Sequence, residues 1–167
     1  MPRVDFAELP EHGRLWVFPL SAPLPEASAA DVMGAVDTFL DGWVAHGVPL
    51  RSARTLVDDH FLLVGVDVDV ELPSGCSIDA LTGQLRSIGQ RLGLSIVDHA
   101  PVWYRDASGI HCVPRLTFKQ LAADGAVDGE TTVFDTSLTR VGDAGALAVP
   151  ASESWHGRAF FKAPAGS

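Results

Sequence analysis

Cys76 stands in the run Ser74-Gly75-Cys76-Ser77-Ile78-Asp79, where an alternating apolar pattern stops and a helical one begins. A thiol at a helix N-terminus feels the positive end of the dipole and the N–H groups that the first turn leaves without intrahelical acceptors; both favour thiolate. His46 and His156 are the candidate bases, and Asp79 or His156 would orient the imidazole, following the cysteine–histidine logic of covalent catalysis. Such a set performs acyl transfer or hydrolysis. The competing reading is structural. A free cysteine is a small hydrophobe, Ser77 then caps the helix, and Asp79 complements its dipole. His46, seven residues after Phe39, has an equally plain role, binding the last carbonyls of a preceding helix.

The other constellations are thinner. His46, Cys76, Asp79 and His156 are zinc-type ligands, but they come from three distant segments with no Cys-x-x-Cys or His-Glu-x-x-His pair. No metal and no cofactor are expected. Asp67, Asp69 and Glu71 alternate along one strand pattern and resemble the metal-binding aspartates of ferredoxin-like nucleotidyl-transfer domains. The phosphate-handling cations those sites need are absent nearby, so a solvated or covered strand face is expected. Ser154-Trp155-His156 pairs a serine with a histidine but has no Gly-x-Ser-x-Gly elbow. It reads as a tail anchor, with Trp155 buried and His156 and Arg158 bonded to the body. The ligand-contacting candidates are Trp43, Ser74, Gly75, Ser77, Asp79, Trp155 and Arg158.

Composition narrows the partners. The 167 residues carry a net charge of −9, with Lys119 and Lys162 the only lysines, which argues against nucleic acid or anionic lipid. No apolar run approaches the roughly 20 residues a membrane span needs. The N-terminus shows no basic and apolar signal pattern, and two cysteines are too few for a disulfide scaffold. The expectation is a cytoplasmic protein with reduced thiols.

The elements that position these residues follow from periodicity. Arg14–Leu20 reads as a strand. A helix then runs from an N-cap at Ser28 through Val32, Val36, Phe39, Leu40 and Trp43 to a stop at Gly47. Arg51–Asp58 is a second strand. Val64, Val66, Val68, Val70 and Leu72 alternate with polar residues or glycine as a third. A second helix begins near Ile78, carries Leu81, Leu85, Ile88 and Leu92, and closes at Gly93; Ile96–Arg105 supplies a fourth strand. This β-α-β-β-α-β order predicts an α+β, ferredoxin-like antiparallel sheet with two antiparallel helices on one face. Such helices bring Trp43, His46 and Cys76 to one rim.

The remainder reads as a hairpin over 102–113, a short helix over Leu116–Ala123 and a strand at Thr131–Phe134. On Trp103, Tyr104, Gly109, Phe118, Leu121, Gly125, Thr131, Val133 and Phe134, this block resembles the bacterial GYF-like modules, whose resemblance implies peptide binding. The Gly-Pro-x-Ser run of those modules is replaced here by Val113-Pro114-Arg115-Leu116. Trp103 and Tyr104 would form either an aromatic ligand surface or a hairpin core. The whole chain resembles an uncharacterised bacterial family with a Trp-His-Gly helix end (Trp43, His46, Gly47), the Ser74–Asp79 turn and Ser154-Trp155-His156. Some of its members bear the label "ABC transporter ATPase", which this chain contradicts by lacking a Gly-x-x-x-x-Gly-Lys-[Ser/Thr] loop. That resemblance carries no activity.

One structural domain is expected over residues 1–167: a ferredoxin-like unit over 12–105, a hairpin–helix–strand extension over 102–140 and a docking tail over 141–167. The expected function is non-enzymatic binding of a small molecule or protein at the Cys76 edge. A Cys76-dependent enzyme using His46 or His156 is the alternative. The oligomeric state is open.

Overall fold

The computed structural model of the protein describes residues 3–96 and 101–154. The chain divides into two compact units, Met1–Val97 with Ser137–Ala144, and Asp98–Thr136 with Gly145–Ser167. The fold is mixed α+β, with antiparallel sheets in both units.

In the first unit β1 (Arg14–Pro19), β4 (Ser52–Val57) and β5 (Phe61–Val66) form a three-stranded sheet in the order β1-β5-β4. Both pairings are antiparallel, so β1 and β4 run the same way on either side of β5. Helix α1 (Glu26–Asp41) and helix α2 (Gly75–Leu92) share one core with one sheet face: Val36, Leu40, Leu81, Leu85 and Ile88 meet Phe18, Leu62, Val64 and Val66. The opposite face is covered near β5 by the N-terminal segment and by residue 141. A Cβ added at Gly65 would lie 2.6 Å from Leu9 Cδ1 and 3.0 Å from Val141 Cγ2, so only glycine fits there. Residues 139–142 also run along β1: Leu15 N–H donates to the Thr139 carbonyl and Val141 N–H to the Gly13 carbonyl, each at 2.9 Å.

Several expectations are corrected. Helix α1 ends at Asp41 with Gly42 as its C-cap, well before Gly47, and its N-cap is Pro25 rather than Ser28. Chain beyond it forms a two-stranded ribbon, β2 (Val44–Ala45) with β3 (Val48–Pro49). Strand β5 stops at Val66 and is buried on both faces, because it is the central strand. The alternation beyond it ends in turns: the Asp67 carboxylate accepts the Asp69 N–H at 3.0 Å, and the Asp67 carbonyl accepts the Val70 N–H at 3.2 Å. The fourth strand is not formed as expected. Ile96 makes an isolated bridge to Leu20, whereas β6 (Val102–Asp106) belongs to the second sheet. Gly93 does close α2, in the left-handed region at φ 69.

The second unit is a sheet of β6, β7 (Gly109–Val113), β8 (Thr132–Phe134) and β9 (Ala148–Pro150) in the order β7-β6-β8-β9. Helix α3 (Arg115–Ala123) places Phe118 against Val102, Tyr104, Val127 and Val133. The hairpin–helix–strand order matches the sequence reading; β9 does not figure in it. Trp103 and Tyr104 are both buried, so they are core and not an exposed aromatic surface.

Candidate functional site

Ser74, at φ −100 and ψ 165, is the N-cap of α2, and Cys76 lies within the first turn. Ser77 N–H donates to Ser74 Oγ at 3.1 Å, and Ser74 N–H donates to Ser77 Oγ at 2.7 Å. This reciprocal cap, with Ser74 rather than Ser77 as the cap residue, takes up donors an oxyanion or thiolate would use. Cys76 itself is exposed, as is Asp79.

Trp43 is the link between the two helices. Its indole Nε1–H donates to the Ser77 carbonyl at 2.8 Å while its ring meets Trp16 edge-on and Phe39 at a tilt, both at 5.8 Å between centroids. The residues after α1 and the first turn of α2 therefore share one rim. Trp43 is only 3% exposed, so it braces that rim and does not present a ring to a ligand. His46 occupies the tip of the β2–β3 ribbon, where it and Gly47 have φ of 53 and 76. Two successive positive φ values make the tight turn suited to a two-residue hairpin. His46 is exposed, not on a helix face, and among the described residues no hydrogen bond or ion pair joins it to Cys76 or Asp79. Trp155, His156 and Arg158 lie outside the described residues.

The three carboxylates before α2 do not share a strand face. Asp67 is buried and accepts Arg51 Nη1 at 2.9 Å, Asp69 meets His12 Nε2 at 2.7 Å, and Glu71 accepts the Leu72 N–H at 3.1 Å. The rim instead carries apolar side chains in the open. Val44 is 46% exposed, Val48 38%, Val70 51% and Leu72 62%. Two come from the ribbon and two from the loop leading into α2. The Trp43–Ser77 bond and the Asp67 N–H to Arg51 carbonyl bond of 2.8 Å hold those segments together.

Two other places bring side chains together. In the second unit Asp106, Ser108 and His111 cluster on the β6–β7 hairpin, a grouping the sequence hides because its members look like turn residues. Asp106 Oδ1 and Ser108 Oγ both contact the same ring nitrogen, His111 Nε2, at 2.8 and 2.9 Å. A catalytic relay uses opposite nitrogens of the imidazole, so this is a turn lock. Hydrogen bonds from Ser108 and from His111 hold the Asp106 carboxyl down at about 2. In the first unit an apolar crevice of about 30 Å3 lies between the start of α1 and the end of α2, lined by Phe18, Met33, Leu62, Leu85, Ile88 and neighbours. That holds little more than water-sized groups. Among the described residues no three His, Cys, Asp or Glu side chains gather to hold a metal, and no helix is long and apolar enough to cross a membrane.

Comparisons with protein-family models, curated proteins and solved structures find no match to this chain.

Proposed function

We propose that this protein is a non-enzymatic binding protein whose partner surface is the rim at the start of α2. One observation carries it: the two segments that Trp43 and Arg51 tie together there leave Val44, Val48, Val70 and Leu72 exposed. Large aliphatic side chains left exposed on segments that are themselves braced are what we read as an interaction surface. A protein partner suits open side chains better than a small molecule, which needs a concave site. The order β1-β5-β4 with both helices on one face supports reading the first unit as ferredoxin-like, its fourth strand reduced to the Leu20–Ile96 bridge. Unpaired Cys76 and Cys112 support a reducing compartment, the cytoplasm. The Ser74–Asp79 turn and Ser154-Trp155-His156 keep the uncharacterised bacterial family as our placement of the chain.

The test is a peptide-display selection against the full chain, with recovered binders measured against Val44→Ser/Leu72→Ser. Affinity should fall ten-fold or more in that variant, as expected when central apolar contacts are lost. Binders that hold the variant equally well remove the rim from the proposal. Exposure of Cys76 favours the second reading, a thiol enzyme. If iodoacetamide modifies Cys76 no faster than a free cysteine peptide, that reading is lost.

A further inference from the structure

Arg14 and Arg140 stand opposite each other at the edge of the N-terminal sheet, where they form an antiparallel bridge. Its hydrogen bonds run between the flanking residues, Leu15 N–H to the Thr139 carbonyl and Val141 N–H to the Gly13 carbonyl. The arginines are thus the non-hydrogen-bonded pair, the closer of the two antiparallel kinds, with Cα atoms about 4.5 Å apart and both side chains on one face. Val141 fills the space over Gly65 on the opposite face. Alternation therefore sets Arg140 and Arg14 on the face that carries the helices, beside Trp16, which packs against the helix core. The Arg14 guanidinium lies over the Trp16 ring, 5.1 Å from its centroid, a contact that positions the charge without neutralising it.

Like charges directly opposite one another destabilise a strand pair. Arg3, Arg51 and Arg54 of the same unit are answered by Asp41, Asp67 and Asp37 at 2.9, 2.9 and 2.8 Å. Among the described residues neither Arg14 nor Arg140 has such a carboxylate. Glu11 and Asp143 are exposed on the same two segments without pairing to them, and Asp69 is taken by His12 at 2.7 Å. On a chain with 21 acidic residues against 12 basic ones, two adjacent arginines left unanswered mark a place for an external anion. We propose that Arg14 and Arg140 together bind one phosphoryl group, carried by a small phosphate monoester. One guanidinium fork fills the two oxygens of a carboxylate. A phosphate monoester presents three oxygens and a charge of about −1.5 to −2, which takes both forks. This site does not depend on the partner surface proposed above.

The probe is phenyl phosphate, titrated into the full-length isotope-labelled chain while backbone amide and arginine Nε–H resonances are followed by NMR. Inorganic phosphate and acetate are the comparison ligands. The expected result is saturable shifts confined to residues 13–16 and 139–141 with phenyl phosphate. Binding should weaken about five-fold or more in Arg14→Gln and in Arg140→Gln, but not in Arg91→Gln, which removes an exposed arginine of α2. Phenyl phosphate should also raise the thermal midpoint of the unaltered chain and leave that of Arg140→Gln where it is. Acetate binding as tightly as phenyl phosphate overturns the phosphoryl assignment. Inorganic phosphate binding more tightly than phenyl phosphate gives the site to the free ion and overturns the monoester. Unchanged affinity in either arginine variant overturns the pair as the binding unit. Shifts scattered over the surface, or none at these residues at millimolar ligand, remove the site.

Discussion

His60 shows how one side chain couples this fold to pH. It is 5% exposed beside Phe61, and burial pushes its imidazole below the usual 6.5 despite the carboxylates of Asp58 and Asp59. The folded state therefore prefers neutral His60, and the unfolded chain takes up the proton first. Its contribution is complete above 6.5 and lost as pH falls through the depressed folded value. Urea denaturation from about pH 7 to about pH 5 should show stability falling, with a smaller fall in His60→Phe. An unchanged slope in that variant would assign the loss to other groups. Asp37 works at lower pH: the hydrogen bonds and charge of Arg54, outweighing partial burial, hold its carboxyl below the usual range.

At the scale of elements, the start of α2 is held by chemistry that the sequence displays plainly. Ser74→Ala removes the acceptor for Ser77 N–H and should cost about 1 kcal/mol, read as a lowered denaturation midpoint with an unchanged slope. Ser77 oxygen would still meet the Ser74 backbone, so loss of all α2 amide protection would mean that the cap does more than close a helix. The helical spacing of Leu81, Leu85 and Ile88 and the glycine at 93 were legible because local rules alone fix them. The end of α1 was not. Trp43 sits at helical spacing in the sequence, yet its indole is claimed by a carbonyl 34 positions along the chain, and that long-range bond lies outside any local pattern. The polar alternation after Val66 failed for a related reason, since Asp67 turns back to Arg51 and caps the strand. Of the candidate site, the thiol turn and its neighbour Trp43 could be read in advance; the exposed apolar residues could not, because Val70 and Leu72 looked like the buried face of a strand.

The whole molecule depends on a chain that leaves its first unit and returns to it. Residues 137–144 belong with the N-terminal sheet, where they edge β1 and fill the space over Gly65. Gly65→Val should overpack Leu9 and Val141 and lower stability by about 1–3 kcal/mol, whereas Gly83→Ala, on the open face of α2, should be neutral or stabilising. Thermal unfolding of the two variants checks this pair. If they lose stability equally, contact at Gly65 is not what limits the site.

That return also sets an order of manufacture. When the ribosome has released the three-stranded sheet, the ribbon and both helices of the N-terminal unit, the edge of β1 at Leu15 still waits for Thr139 and Val141. The first part to emerge is thus among the last to be finished, and the intervening residues 98–136 must be threaded out before it can close.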